Sequence, residues 1–359
     1  MSLSFAPLTI HGLLEALLAE SAFILLLAAG SLMLPGRVHA GAPGPDGGRP
    51  LYKLNGLLLF VLIIGGALVG EWAGVVRLAG IPPRLPALLV AANALAFSGA
   101  AILMIHGRTR TGHPFQDFFY GRETNPKWLG LDLKMFSYRP SLIGLALVQI
   151  SLAALQAGIY GRLSTRMALY QLFTFLYLAN YFQFEYGMLF TWDIVAERFG
   201  WMLVWGDYVL VPFFYSLPGW FLVDNMDPIS PAAAAALIAL YAGGFALFRG
   251  ANQQKHRFKQ DPGARIWGRS ARTLDGRLLI SGFWGIGRKL NYTGELSMYW
   301  AWTLLCGFHS FTPYLLPLWL SFFLPHRAWR DEKRCRAKYG DLWSAYCRRA
   351  RFRMIPFVY

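Results

Sequence analysis

The chain has 359 residues, of which 55% are hydrophobic, 16% aromatic and only 15% charged, with a formal net charge of +15. Soluble domains carry about 25% charged residues, so this composition excludes an ordinary water-soluble globule and points to a bilayer. Three cysteines, Cys306, Cys335 and Cys347, form no CxxC pair, which argues against a disulfide framework or a structural zinc site.

The first apolar run covers 12–34. It lacks a basic segment before it and a small-residue cleavage site after it, so it reads as a retained helix and not a signal peptide. A spanning helix needs about 20 apolar residues. Further runs that qualify lie at 55–78, 85–106, 141–160, 168–190, 200–224 and 231–249. A shorter pair at 295–307 and 311–325 is split by "GFHSFTP", and 278–289 reads as a half-helix. The expected fold class is all-α: a polytopic membrane protein of about ten transmembrane helices.

The loops 35–54 and 107–140 are basic. With seven spans before residue 250, both fall on the same side as two strongly basic C-terminal segments, 249–289 and 326–359. Those two segments carry the whole net charge, and the rest of the chain balances. The positive-inside rule makes that side cytoplasmic. The same segregated charge also suits an anionic ligand, for which polyanionic lipid, nucleic acid and a phosphorylated cofactor are all open on charge alone.

Ionisable groups inside spans are costly and mark candidate functional sites. In "QLFTFLYLANYFQFEYGMLF", Thr174, Tyr177, Tyr181 and Glu185 are three or four residues apart and are expected on one helix face. Asp193 closes that helix in this reading, and Asp207 in the next span is expected to share a polar cavity with Glu185. The bland alternative is interhelical hydrogen-bond glue. Glu15, Glu20 and Glu71 have no partner stripe and read as structural.

"SGFWGIGRKLNYTGEL", residues 281–296, contains G-x-x-G-x-G. It does not open a helix after a strand, so a Rossmann fingerprint is rejected. What remains is a backbone that can approach a ligand closely, stacking faces from Trp284 and Tyr292, an amide from Asn291, and Arg288 to fork onto a phosphate. In "HRAWRDEKRCRAKYGDLWSAY", Asp331, Cys335 and Tyr339 are four apart on one face, with Tyr346 two turns on. An amphipathic helix on anionic lipid is the alternative, although such a helix needs no aligned acid, thiol and phenol.

These segments, with "YGRETNP", "FRGANQQKHRFK", "IWGR" and "PGRVHAGAPGPDGGRPLYKLNG", resemble the sterol reductase family: the Δ14-, Δ7- and Δ24(28)-sterol reductases and the membrane part of the lamin B receptor. The resemblance runs over nearly the whole chain. It implies one integral-membrane domain, with N-terminal helices over 1–165 and a catalytic half over 166–359 holding a cofactor pocket that opens to the cytoplasm. It implies NADPH as cofactor, a sterol substrate and contact with membrane lipid, and no nucleic acid. Matched one at a time, the family's cofactor positions fall on Lys255, Lys259, Leu279, Trp284, Asn291, Tyr292, Asp331, Cys335, Tyr339 and Tyr346. Lys259 stands where the family usually has Arg, which keeps the charge and loses the bidentate fork. "RRARFRMIP" departs from a usual Val-Pro.

Reducing an unactivated alkene needs an acid to protonate one carbon before hydride reaches the other. Tyr181, Glu185 and Asp207 are the candidate catalytic residues in the sterol pocket, with Asp331 a further one on the cofactor side. "FRGANQQK" resembles the Δ14 branch, whereas "IWGR" and "GWMLVWGD" lie nearer the Δ7 branch, so Δ14-sterol reduction is the first reading and Δ7 the alternative. More distant alternatives are an isoprenylcysteine-type membrane methyltransferase, which shares a C-terminal hairpin and a YGxxY-like motif, and a non-enzymatic scaffold. The expected location is the inner membrane of a bacterium or the endoplasmic reticulum of a eukaryote.

Overall fold

Helices dominate the computed structural model, which describes residues 4–43 and 47–359. Among the described residues, four helices are long and apolar enough to cross a membrane: Ile10–Met33, Leu78–His106, Leu133–Tyr160 and Pro231–Gln260. The chain divides into two compact units, Met1–Asp227 and Pro228–Tyr359.

The first unit opens with α1 (Ile10–Met33), which starts where the Thr9 side chain accepts the Gly12 N–H. Leu14, Leu18, Leu25 and Leu26 on α1 are exposed, as a helix facing lipid requires. A hairpin of β1 (Arg37–Ala40) and β2 (Leu51–Leu54) follows. Asn55 after it donates to the carbonyls of Gly30, Ser31 and Leu34. One amide thereby satisfies orphan acceptors at the end of α1, which lipid could not. Then come α2 (Gly56–Trp72), α3 (Leu85–His106), α4 (Pro114–Phe119) and a short hairpin of β3 (Lys127–Trp128) with β4 (Leu131–Asp132).

The next helix, α5 (Leu133–Tyr160), is the buried axis of this unit, with half of its most apolar window enclosed. It begins eight residues before the expected span. Asp132 is the reason: its carboxylate caps the Met135 N–H at 2.9 Å. Around α5 pack α6 (Thr165–Gln183) and a broken run of short elements. These are a 3₁₀ turn Glu185–Phe190, α7 (Trp192–Val195), α8 (Trp201–Trp205), a π-helical stretch Gly206–Phe214 and α9 (Leu217–Val223).

Two expectations change here. The helix carrying Thr174, Tyr177 and Tyr181 ends at Gln183, so Glu185 lies outside it, and Asp193 sits in α7 and closes nothing. The chain leaves the helix at Phe184 (φ −113°, ψ 34°), and the Glu185 carboxylate turns to partners on α2 and α5. The expected span 200–224 is interrupted by the π stretch with Pro212 inside it, because proline removes a helix donor.

The second unit opens with α10 (Pro231–Gln260), whose cap Ser230 accepts the Ala233 N–H and whose first residue is proline. Two hairpins follow, β5 (Arg265–Ile266) with β6 (Arg269–Ser270), and β7 (Thr273–Leu274) with β8 (Leu278–Leu279). A single turn α11 (Phe283–Ile286), then α12 (Leu290–Leu304), α13 (Leu315–Tyr339) and α14 (Asp341–Arg349) complete the unit. The expected half-helix 278–289 is therefore strand, loop and one turn. The expected C-terminal stripe is split: the chain turns at Gly340 (φ 54°), and Tyr346 comes from α14 rather than from the helix of Asp331.

The core of this unit is the crossing of α10 with α12. A Cβ on Gly294 would lie 2.5 Å from the Gly244 carbonyl oxygen and 2.5 Å from the Phe248 nitrogen. Backbones meet directly there, in the small-residue packing that membrane helices use.

Candidate active site

Each unit holds a constellation of polar side chains that includes residues expected to carry chemistry. In the first, α5 supplies three side chains that the sequence reading left among loop charges or did not single out. Lys134 is 1% exposed, and its ammonium donates to the carbonyls of Asp193 (2.6 Å), Ile194 (3.0 Å) and Glu197 (2.7 Å). Its three protons thus satisfy carbonyls at the end of α7. Ser137, one turn on, meets the carboxylate of Asp207 through its hydroxyl and lies 2.8 Å from the Lys134 carbonyl. Arg139 pairs with Glu185 at 3.2 Å, and both side chains are almost fully buried.

The second oxygen of Glu185 accepts the Gly56 N–H at 2.9 Å, and a Cβ on residue 56 would stand 2.6 Å from the first. Glu185 thus caps α2 and ties it to α5, and glycine is required for that approach. Tyr181 lies against Tyr177 with the rings tilted by 56° and their centroids 4.8 Å apart, and it packs against the cluster of Tyr52, Met135, Met188, Leu189 and Ile194. Glu185 and Asp207 are held by different α5 residues, Arg139 and Ser137. The signal for all three α5 groups was the N-cap Asp132 followed by apolar Leu133 and Phe136, which makes "LDLKMFSYRPS" the first turns of a span.

In the second unit the side chains expected around a cofactor come together. The Trp284 indole donates to the Ala251 carbonyl at 2.8 Å, and the Lys255 ammonium lies 4.9 Å from its ring centroid. Leu279 packs with Trp284, Phe258 and Ile266. The Tyr346 hydroxyl donates to the Trp284 carbonyl at 3.1 Å, so α14 reaches the same turn. Asn291 donates to Asn252 at 3.2 Å, while its buried Oδ1 accepts nothing among the described residues. Tyr292 packs beside Leu324, Ala328 and Met354. Tyr339 and Cys335 lie against Trp343 and Tyr346, with Arg277 over the Tyr339 ring at 5.2 Å. Lys259 stands at the rim, 3.5 Å from the Arg277 carbonyl.

The glycine-rich stretch behaves differently from its first reading. Its glycines make room for the protein itself: a Cβ on Gly282 (φ 62°) would meet Gln254 Oε1 at 2.3 Å. Arg288 does not reach out to a phosphate. It is buried, pairs with Glu332 at 2.7 Å and donates to the carbonyls of Ala350 (2.6 Å) and Arg351 (3.0 Å).

Lys289 forms an ion pair with Asp331, and Cys335 lies 3.9 Å from the same carboxylate oxygen. Burial opposes charge on both partners, yet their mutual attraction prevails: Asp331 is held below the usual carboxylate range and Lys289 above the usual lysine range. Burial, and then the Asp331 charge, push the Cys335 thiol up, so it is no ready thiolate. A depressed carboxylate contributes stability above its unfolded pKa of about 4 and loses it as the pH falls through the folded value. The melting temperature of Asp331→Asn should therefore lie below that of the unmodified chain at neutral pH. The gap should close as the pH drops below about 4; a gap constant with pH would refute the pairing.

A model of the ergosterol biosynthesis ERG4/ERG24 family matches residues 15–359. The chain is 37% identical over 350 residues to a Delta(14)-sterol reductase of Arabidopsis thaliana, covering 94% of each. It is 37% identical over 353 residues to a Delta(14)-sterol reductase of Methylotuvimicrobium alcaliphilum, covering 94% of this chain and 82% of that relative. A 7-dehydrocholesterol reductase of Xenopus laevis is 34% identical over 353 residues, 90% of this chain and 74% of that relative.

Proposed function

The chain belongs to the ergosterol biosynthesis ERG4/ERG24 family of sterol reductases, and from that premise we propose that it reduces the Δ14 double bond of a sterol precursor with NADPH. The observation that carries this reading is the match at 37% identity to a Delta(14)-sterol reductase over 94% of both chains. Δ7 reduction is the second reading, favoured by the 34% identity to a 7-dehydrocholesterol reductase. Membership of this family sets aside the methyltransferase reading, and the near full-length matches to curated sterol reductases support catalysis over the scaffold reading.

The protein is an integral membrane protein, and we propose about ten membrane-spanning elements, of which the four long apolar helices are the clearest. We further propose that the face bearing the basic C-terminal segments is cytoplasmic.

The residues of the second unit fit a nicotinamide cofactor. The buried Asn291 Oδ1 has no donor among the described residues, and a carboxamide N–H would be one. Lys255 makes no ion pair among the described residues, which leaves its charge for a phosphate. In this proposal Lys255 and Lys259 bind phosphates, Trp284 and Tyr292 form aromatic walls, and Asn291 holds the amide. Leu279, Cys335, Tyr339 and Tyr346 line the same group of side chains, and Asp331 keeps Lys289 in place.

The cofactor, when bound, supplies hydride. The protein must supply a proton to the other alkene carbon. Glu185 has both oxygens engaged, by Arg139 and by the α2 amide. Asp331 is a carboxylate held charged by Lys289. The hydrogen-bond partner of Asp207 is a neutral hydroxyl, so it can carry a proton, and we assign it as the donor, with Tyr181 a further candidate. Glu185 and Asp331 then act by holding their surroundings in position.

The cofactor assignment is tested by Lys255→Ala combined with Asn291→Ala. Losing one charge-assisted contact and one amide contact should raise the NADPH dissociation constant about tenfold or more. Unchanged affinity at moderate salt would remove these residues from the binding site.

A further inference from the structure

Beside these residues the second unit has two adjoining clefts, of about 190 and 500 Å³, that share Ile266 and Trp267. None of the ten proposed cofactor residues lines either one. Arg257 and Arg265 border the smaller cleft, and Arg269 and Arg272 the larger, with Gln253 and Ser281 among the other polar groups. No Asp or Glu lines them. All four arginines are exposed, and none forms an ion pair among the described residues. Two arginines on each of two adjoining clefts, with no acidic side chain on either lining, give a concave surface of one sign, which favours an anion.

The position of the clefts identifies where that anion comes from. The apolar run of α10 ends at Phe248, and the cleft begins at Gly250 and runs to Arg257 along the same helix. At about 1.5 Å per residue this covers roughly 10 Å, enough to cross the head-group layer of about 5–8 Å on one side of a hydrocarbon core about 30 Å thick.

Trp267 stands over the cleft, 61% exposed, at the tip of the β5–β6 hairpin. Its φ of 50°, followed by 76° at Gly268, is the type I′ turn that usually takes Asn-Gly. A bulky residue in that conformation costs about 1 kcal/mol or more. An edge-to-face contact with Phe283, at 5.0 Å between ring centroids, holds the ring there. An exposed tryptophan at head-group depth beside arginines matches a membrane-interface anchor. A positive-inside bias alone would not require the arginines to border adjoining clefts joined at a strained, exposed tryptophan.

We propose that the arginine-lined clefts around Trp267 bind the phosphate head group of an anionic membrane lipid, separately from the cofactor residues. The full chain, purified in detergent and delipidated, is titrated by native mass spectrometry with phosphatidic acid, phosphatidylcholine and inorganic phosphate. The expected result is retention of phosphatidic acid at concentrations where phosphatidylcholine is lost, with no displacement by inorganic phosphate. Arg265→Gln with Arg269→Gln should weaken that retention about 30-fold, at about 1 kcal/mol per arginine. Trp267→Ala should weaken it less, and NADPH affinity should be unchanged in both variants. Three results would overturn the proposal. One is equal lipid retention by the double-arginine variant. A second is displacement by inorganic phosphate, which would mean an adventitious ion only. The third is a tenfold loss of NADPH affinity in that variant, which would assign the arginines to the cofactor instead.

Discussion

Asp207→Asn is expected to lower sterol turnover about 10²–10⁴-fold while leaving NADPH affinity unchanged. The substitution is close to isosteric, and the amide can still bond Ser137, so the join between α5 and the π-helical stretch is kept. What it removes is the transferable proton. The Ser137 hydroxyl has one hydrogen and two acceptors within reach, the Asp207 carboxylate and the Lys134 carbonyl. When Asp207 is protonated it can donate to Ser137, which then turns to Lys134; when it is ionised, Ser137 turns back. The pair can thus accommodate both protonation states without moving the backbone. Turnover is measured by product formation at saturating NADPH, and cofactor affinity by separate titration. Near-normal turnover would move the proton donor to another residue, with Tyr181→Phe the next variant to examine.

Arg139→Met is expected to destabilise the protein by about 3–5 kcal/mol, because it leaves the Glu185 carboxylate buried without a counter-charge. The double variant Arg139→Met with Glu185→Met should recover most of that loss, since an apolar pair of similar volume replaces both charges. Thermal unfolding in detergent follows both. Glu185→Gln separates this positioning role from chemistry. If Glu185 holds α2 on α5, activity in the variant should fall only as far as the folded fraction falls. A folded, inactive Glu185→Gln protein would make Glu185 the acid after all.

Much of this architecture was legible from apolar runs. The runs at 12–34 and 85–106 correspond within two residues to α1 and α3, because uninterrupted hydrophobicity leaves lipid-facing helices no other solution. The residues proposed to hold the cofactor stood out because Lys255, Trp284, Asn291 and Asp331 sit in distinctive motifs, and all four fall in the second unit.

The misses share a physical cause: a charged residue near a span looks the same in sequence whether it is solvated or buried. Lys134 and Arg139 read as loop cations and Arg288 as a phosphate ligand, yet each is buried against partners far along the chain. Helical spacing placed Glu185 on the Tyr181 stripe, but a distant arginine and the first amide of α2 drew it out of the helix. The hairpin at Trp267-Gly268 was missed because tryptophan is a poor type I′ residue.

The central claim is tested most directly by product analysis. The purified protein is given NADPH and, in separate reactions, sterols bearing a Δ14, a Δ7 or a Δ24(28) double bond, and the products are read by mass spectrometry. The account predicts that the Δ14 substrate alone gains two hydrogens, and only when NADPH is present. Reduction of the Δ7 sterol with the Δ14 sterol untouched, or no reduction of any of the three, would contradict it.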